Sequence, residues 1–179
     1  MKIKTALMGA VASLALAPMA FADAHEGERG RDGQLNIIYW QAPSILNPYL
    51  SGGTKDLESA SMIVEPLARY NETGALVPYL AEEIPTVANG GVSEDLTSIT
   101  WKLKSGLLWS DGSAVTSADV VFTAAYCMDP EGGCAQLSKF DGVENVEAID
   151  DLTVKVTFDS AKPNPYGPFA GAQSPIIQA

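Results

Sequence analysis

Trp101-Lys102-Leu103-Lys104-Ser105-Gly106-Leu107-Leu108-Trp109-Ser110-Asp111-Gly112-Ser113-Ala114-Val115-Thr116-Ser117-Ala118-Asp119-Val120-Val121-Phe122-Thr123 reads as a strand, a turn and a helix in succession. Over residues 98–104 apolar and polar residues alternate. Ile99, Trp101 and Leu103 face one way, and Ser98, Thr100, Lys102 and Lys104 the other, the period-two pattern of a half-buried strand. Gly106 and then Ser110-Asp111-Gly112, after Trp109, supply turn chemistry. Thr116 is placed to cap a helix, with Asp119 three residues on in capping-box position. That helix runs over residues 117–128. Val120, Val121, Phe122, Ala124, Ala125 and Tyr126 make it apolar nearly all round, which predicts deep burial. Trp101 and Trp109 are large apolar bodies for one small core. These residue types assign the stretch to folding rather than to ligand contact.

Working downstream, residues 129–133 form a loop and residues 140–148 begin an extended segment. Asp150-Asp151 makes a hairpin turn, and residues 152–158 alternate cleanly as the best strand in the chain. Lys162-Pro163-Asn164-Pro165-Tyr166 ends it. The chain stops at Ala179 as the apolar run Pro175-Ile176-Ile177 opens. That run has no evident partner, so the chain reads as a truncated piece of something longer. Upstream, residues 79–83 suggest a short helical stretch. Leu67-Ala68-Arg69-Tyr70 and Ala75-Leu76-Val77 flank Asn71-Glu72-Thr73-Gly74, a hairpin signal. Thr54 is placed to cap a helix over residues 55–64, with Asp56 and Glu58 in its first turn. Leu35-Asn36-Ile37-Ile38-Tyr39-Trp40 is rich in β-branched and aromatic residues and predicts a first strand. Gln41-Ala42-Pro43 then leaves its end as irregular backbone, the kind of place that holds ligands in open α/β folds.

The chain has 179 residues, with 11 Lys+Arg against 22 Asp+Glu and a net charge of −11. A nucleic-acid surface needs basic residues to displace counterions, so that class is excluded. Hydrophobic residues at 46% and charged residues at 18% exclude a disordered acidic tail. Residues 1–22 read as a secretory signal peptide: Lys2 and Lys4, then an apolar run over residues 6–17, Pro18, and small residues. Ala20-Phe21-Ala22 suits cleavage after Ala22, with Ala22-Asp23-Ala24 as the second choice. The run is short of the roughly 20 apolar residues that span a bilayer. Cleavage removes two lysines and no acid, which takes the net charge from −11 to −13. Residues 23–34 look like a flexible leader, and it holds His25, the single histidine. A terminus is a poor place for a catalyst or ligand. The residues therefore imply no metal and no cofactor.

Beyond this physical reading, Trp101, Leu103, Gly106, Trp109, Ser110, Asp111, Gly112, Thr116, Asp119, Val120 and Phe122 stand in an order that resembles the extracellular solute-binding proteins of family 5, the oligopeptide- and dipeptide-binding proteins of ABC importers. Leu46-Asn47-Pro48, Glu65-Pro66-Leu67 and Leu76-Val77-Pro78-Tyr79-Leu80-Ala81 extend the resemblance, which covers residues 35–177. It implies an α/β fold of the periplasmic-binding-protein type II, two-lobed with an extra small α/β subdomain, with only the N-terminal part present. Residues 35–47 would be the first strand and cleft segment of lobe I, and residues 48–161 the small subdomain. Residues 162–179 would return toward lobe I, with the second lobe beyond Ala179. It further implies a monomeric periplasmic protein that captures a peptide or related small solute and hands it to permease subunits in the inner membrane, without catalysis. Trp40, Gln41, Ala42 and Pro43, with Phe169 and Gly171 where the chain returns, are the residues it places toward the solute.

Cys127 and Cys134 flank a short loop that contains Gly132-Gly133. In a secreted chain an even pair predicts a disulfide, with two buried free thiols as the other reading. A zinc site lacks further ligands, and the C-x-x-C spacing of a redox pair is absent. Two other classes compete with solute binding. A secreted hydrolase with paired carboxylates has acids to draw on, but Asp111, Asp119, Asp150 and Asp151 have turns and caps to serve. A secreted adhesion module is the third.

Overall fold

The computed structural model describes Gly33 and residues 36–179. The expected signal peptide, Leu35 and nearly all of the expected leader with His25 lie outside the described residues. One compact unit spans Ile38–Ala179. In chain order it holds α1 (Thr54–Ala60), β1 (Ala68–Tyr70), β2 (Leu76–Pro78), β3 (Ser98–Lys102), α2 (Ser117–Met128), β4 (Val143–Asp150) and β5 (Thr153–Phe158). Short 3-10 turns at Pro48–Leu50 and Leu137–Phe140 complete it.

β1 and β2 form the antiparallel hairpin expected around Gly74, which sits at φ 79° where a side chain would be strained. β3, β5 and β4 form a second antiparallel sheet in that order, and α2 packs against β4 and β5. The alternation read in the sequence is the alternation found. Ile99, Trp101, Leu103, Val154, Val156 and Phe158 are buried, and all belong to one core with Val120 and Ala124 of α2. Burial of this kind is worth about 1.5–3 kcal/mol for each large side chain, before chain entropy is set against it.

Five expectations need correction. No residue from 36 to 40 forms a strand. A strand is made by its ladder, and the β-ladders of the described residues do not include this segment; Ile38 is fully exposed. Residues 79–83 are not helical, because their backbone pairs with the end of the β3 chain: Glu82 N–H donates to Lys102 O, Lys104 N–H to Leu80 O, and Ala81 bridges Leu103. α1 stops at Ala60, and Gly53 rather than Thr54 is its N-cap. α2 is not buried all round. Ala118, Phe122 and Ala125, spaced four and three apart, line one exposed face. Finally, the Pro175-Ile176-Ile177 run does have a partner in the chain. Ile176 is fully buried, and its N–H donates to Glu65 O. The core therefore continues past residue 161, through Phe169, Ala170 and Ile176.

Candidate functional site

Two stretches, residues 40–51 and 166–179, enter and leave the core. Trp40, Gln41, Ala42 and Pro43 are all exposed, with Trp40 stacked obliquely on Tyr39. The chain is tied down immediately after them. Asp56, in the first turn of α1, is 3% exposed and turns its carboxylate back on the incoming segment. Its Oδ1 accepts the Ser44 N–H at 2.6 Å, and its Oδ2 accepts the Ser51 hydroxyl at 2.7 Å. Lys55 Nζ pairs with the same carboxylate at 2.7 Å and also donates to Ser44 Oγ. Lys55 above all, then Ser51, hold the Asp56 carboxyl well below the ordinary carboxylate range.

Next comes the turn Pro48–Leu50. Asn47 Oδ1 accepts the Tyr49 N–H, and Pro48 starts the turn where a missing N–H costs nothing. Tyr49 is fully buried, and burial pushes its hydroxyl far above the usual tyrosine value. That hydroxyl donates to Pro175 O, so the incoming and returning stretches touch here.

The returning stretch is built around an unusual residue. Phe169 has φ 62°, a region bulky side chains avoid. Its surroundings impose it. The Phe169 N–H donates to the buried Ser174 Oγ at 2.8 Å, and Phe169 O accepts from Leu67 and Ala68. Its ring packs edge-on against Phe140. Phe169 is thus fully enclosed, and the expectation that its side chain meets a solute is corrected. Gly171, at φ 83°, lies beside Tyr70 and donates its N–H to Ala68 O. Among the described residues no hydrogen bond or ring contact joins residues 40–43 to residues 169–171.

The family-signature residues divide between core, turns and surface. Trp101, Leu103 and Val120 are core, while Gly106 and Gly112 sit at φ 75° and 88°. Ser110 and Phe122 are exposed, Phe122 by 39%. Asp119 Oδ2 accepts both the Thr116 N–H at 2.8 Å and Trp109 Nε1–H at 3.2 Å. Sequence reasoning missed a second duty of this group, which is to hold the returning chain. Asp119 Oδ1 accepts the Ala179 N–H, Thr123 Oγ1 accepts the Ile177 N–H, and Asp111 Oδ2 accepts from Gln178 Nε2. That amide, with Ser113 behind it, lowers the Asp111 carboxyl to about 2. No local pattern carries such a signal, because the partners are more than 50 residues apart. Tyr49 was missed for the same reason, since its hydroxyl partner is Pro175, whereas Asp56 and Ser174 bond to nearer residues through irregular backbone that has no period to read.

Cys127 and Cys134 are joined in a disulfide. Among the described residues no group of three or more His, Cys, Asp or Glu is placed to hold a metal ion. No described helix is long and apolar enough to cross a membrane.

Residues 75–179 match the model of the bacterial extracellular solute-binding proteins, family 5 Middle. The glutathione-binding protein GsiB of Pectobacterium atrosepticum is 28% identical over 112 residues, which cover 63% of this chain and 21% of that protein. The structure of AgaA from A. tumefaciens R10, in complex with agropinic acid, superposes with a TM-score of 0.68 at 28% identity, covering 76% of this chain and 26% of that one. Listeria monocytogenes OppA bound to peptide superposes with a TM-score of 0.67 at 22% identity, covering 77% and 30%, and shows the shared fold. The chain thus spans between a fifth and a third of the length of these relatives. These relatives are binding proteins, and the described fold is the α/β fold of the periplasmic-binding type II, OppA-like proteins. With the motif, the fold and the match over residues 75–179 in agreement, the chain belongs to the bacterial extracellular solute-binding proteins of family 5.

Proposed function

We propose that this chain is the N-terminal part of the solute-binding component of an ABC importer. The whole protein, a monomer, captures a peptide or peptide-like solute between two lobes and delivers it to permease subunits in the inner membrane. The observation that carries this reading is the family match over residues 75–179. In support, one relative is named for binding glutathione, and two related structures hold a peptide and agropinic acid.

Residues 1–22 direct export and are cleaved after Ala22, leaving the protein in the periplasm. Residues 35–47 serve as the cleft segment of lobe I, and residues 48–161, with the returning chain packed into the same core, as its small subdomain. Trp40, Gln41, Ala42 and Pro43 face the solute, and Gly171 lies where the chain returns toward it. Backbone groups in such an irregular segment are not committed to a ladder and can hydrogen-bond a peptide main chain, which tolerates varied side chains. Closure of the two lobes desolvates the solute, and the importer recognises the closed form. The charge of −13 after cleavage favours cationic solutes at long range.

The test is a thermal-shift screen of the protein at the length of its relatives against peptides, sugars and opines. A solute at 100 times its dissociation constant adds about 2.7 kcal/mol to stability. Stabilisation by peptides supports the reading, and stabilisation by sugars alone overturns it.

A further inference from the structure

We propose that the Cys127–Cys134 disulfide, with Tyr126 and Gln136 beside it, is a positioning device for the segment 40–51. Both half-cystines carry a grip on the same turn. On one side, Tyr126 precedes Cys127 in the last turns of α2. Its hydroxyl accepts from Asn47 Nδ2 at 3.3 Å, and its ring meets Tyr49 edge-on at 6.1 Å. On the other side, Cys134 is followed by Ala135, whose N–H donates to Tyr49 O at 2.7 Å. Gln136 comes next, 4% exposed, and its Nε2 donates to Pro48 O at 3.2 Å and Ser51 O at 2.9 Å.

Without the sulfur bridge the two arms are joined by residues 129–133. These are all exposed and include two glycines; the Asp129 N–H closes α2 on Ala125 O, and beyond it the hydrogen bonds of Glu131 and Gly132 only turn back to Asp129. Such a loop holds its ends at no fixed separation. The bridge does, so the arms close on Pro48–Leu50 as a pair. Asp56 roots residues 44 and 45 from the α1 side. Residues 40–43 have no ladder of their own, so their course is set by the residues that follow them. That these residues meet a solute rests on the function proposed above; the grip itself does not.

The experiment uses the protein at the length of its relatives, with three variants: the double substitution C127A/C134A, Gln136→Ala with the bridge intact, and Gly91→Ala. The last is a destabilised control away from the grip, where a new Cβ would lie 2.6 Å from Pro85 Cβ. Hydrogen exchange is followed by mass spectrometry. In the first two variants the amides of Tyr49, Leu50 and Ala135 should exchange roughly tenfold faster, with β3 and β5 unchanged. Unchanged exchange at those amides, or equal acceleration in β3 and β5, overturns the proposal. Calorimetric titration with a mixed pool of tri- to pentapeptides, well below the melting temperature, reads the consequence. Both grip variants should bind several-fold more weakly and Gly91→Ala as the unaltered protein does. Unaltered affinity in the grip variants also overturns it. If the unaltered protein binds nothing in the pool, the proposed function fails, and the exchange data alone decide on the grip.

Discussion

Asp119 shows how much one side chain can carry, and how much of that is local. Its role as the acceptor of the Thr116 N–H follows from a three-residue spacing, and was legible for that reason. Its bonds to Trp109 and Ala179 depend on how the chain folds back, and no spacing encodes them. Asp119→Ala leaves three donors without this acceptor at a 5% exposed site, so a loss of about 2–4 kcal/mol is expected. Urea denaturation measures it, and a loss under about 0.5 kcal/mol would show that water replaces the carboxylate. Asp111 supplies the matching pH effect. Its folded value, about 2, lies below its ordinary 3.8, so the unfolded chain takes up a proton first as pH falls. The stabilisation is complete above about pH 5 and drains away between there and about pH 2. Asp56, held lower still, acts in the same direction. The folded-to-unfolded equilibrium should therefore weaken across that window, and less steeply in Asp111→Asn, as read by denaturation at stepped pH.

At the scale of elements, legibility followed the locality of the partner. β3, β5 and the β1–β2 hairpin were readable because alternation and turn residues lie within each segment. The segment 36–40 shows the opposite. Its composition is that of a strand, yet a strand exists only with a neighbour, and composition does not supply one. Residues 79–83 went wrong in the other direction, since pairing with residues 102–104 overrode a weak helical pattern. α2, apolar nearly all round, reads as deeply buried, but Phe122 remains 39% exposed. Exposure of apolar surface on one helix face is ordinary, and composition alone cannot assign faces. Gly91 tests an element-level contact. Its Cβ would stand 2.7 Å from the Pro85 Cα, a backbone atom that cannot yield cheaply. Gly91→Ala is expected to cost about 1–3 kcal/mol, and a melting temperature equal to that of the parent would show that the loop shifts freely. The disulfide belongs to this scale as well. Closing so short a loop contributes about 2–3 kcal/mol through the unfolded chain, so thiol reduction should lower the urea midpoint accordingly.

At the scale of the molecule, the described unit is closed where it was expected to be open. Ile176 and Phe169 complete the core that Ile99, Trp101, Val120, Val154 and Val156 begin. The returning chain is held to α2 and its approach through Asp111, Asp119 and Thr123. An isolated fragment of this kind has enough core to fold, so residues 38–179 alone should be soluble and melt in one cooperative step. Binding is a separate matter. A cleft site buries most of its ligand, and a single wall leaves much of the solute in water, where a peptide's hydrogen bonds gain little over those to solvent. In the function proposed above, exposed Trp40 and the residues after it would be one such wall. Residues 38–179 should accordingly bind no peptide at micromolar concentration, while the protein at the length of its relatives binds one. Calorimetric titration of both with the same mixed peptide pool decides it. Equal affinity would place the whole site within residues 38–179 and remove the two-lobed capture mechanism.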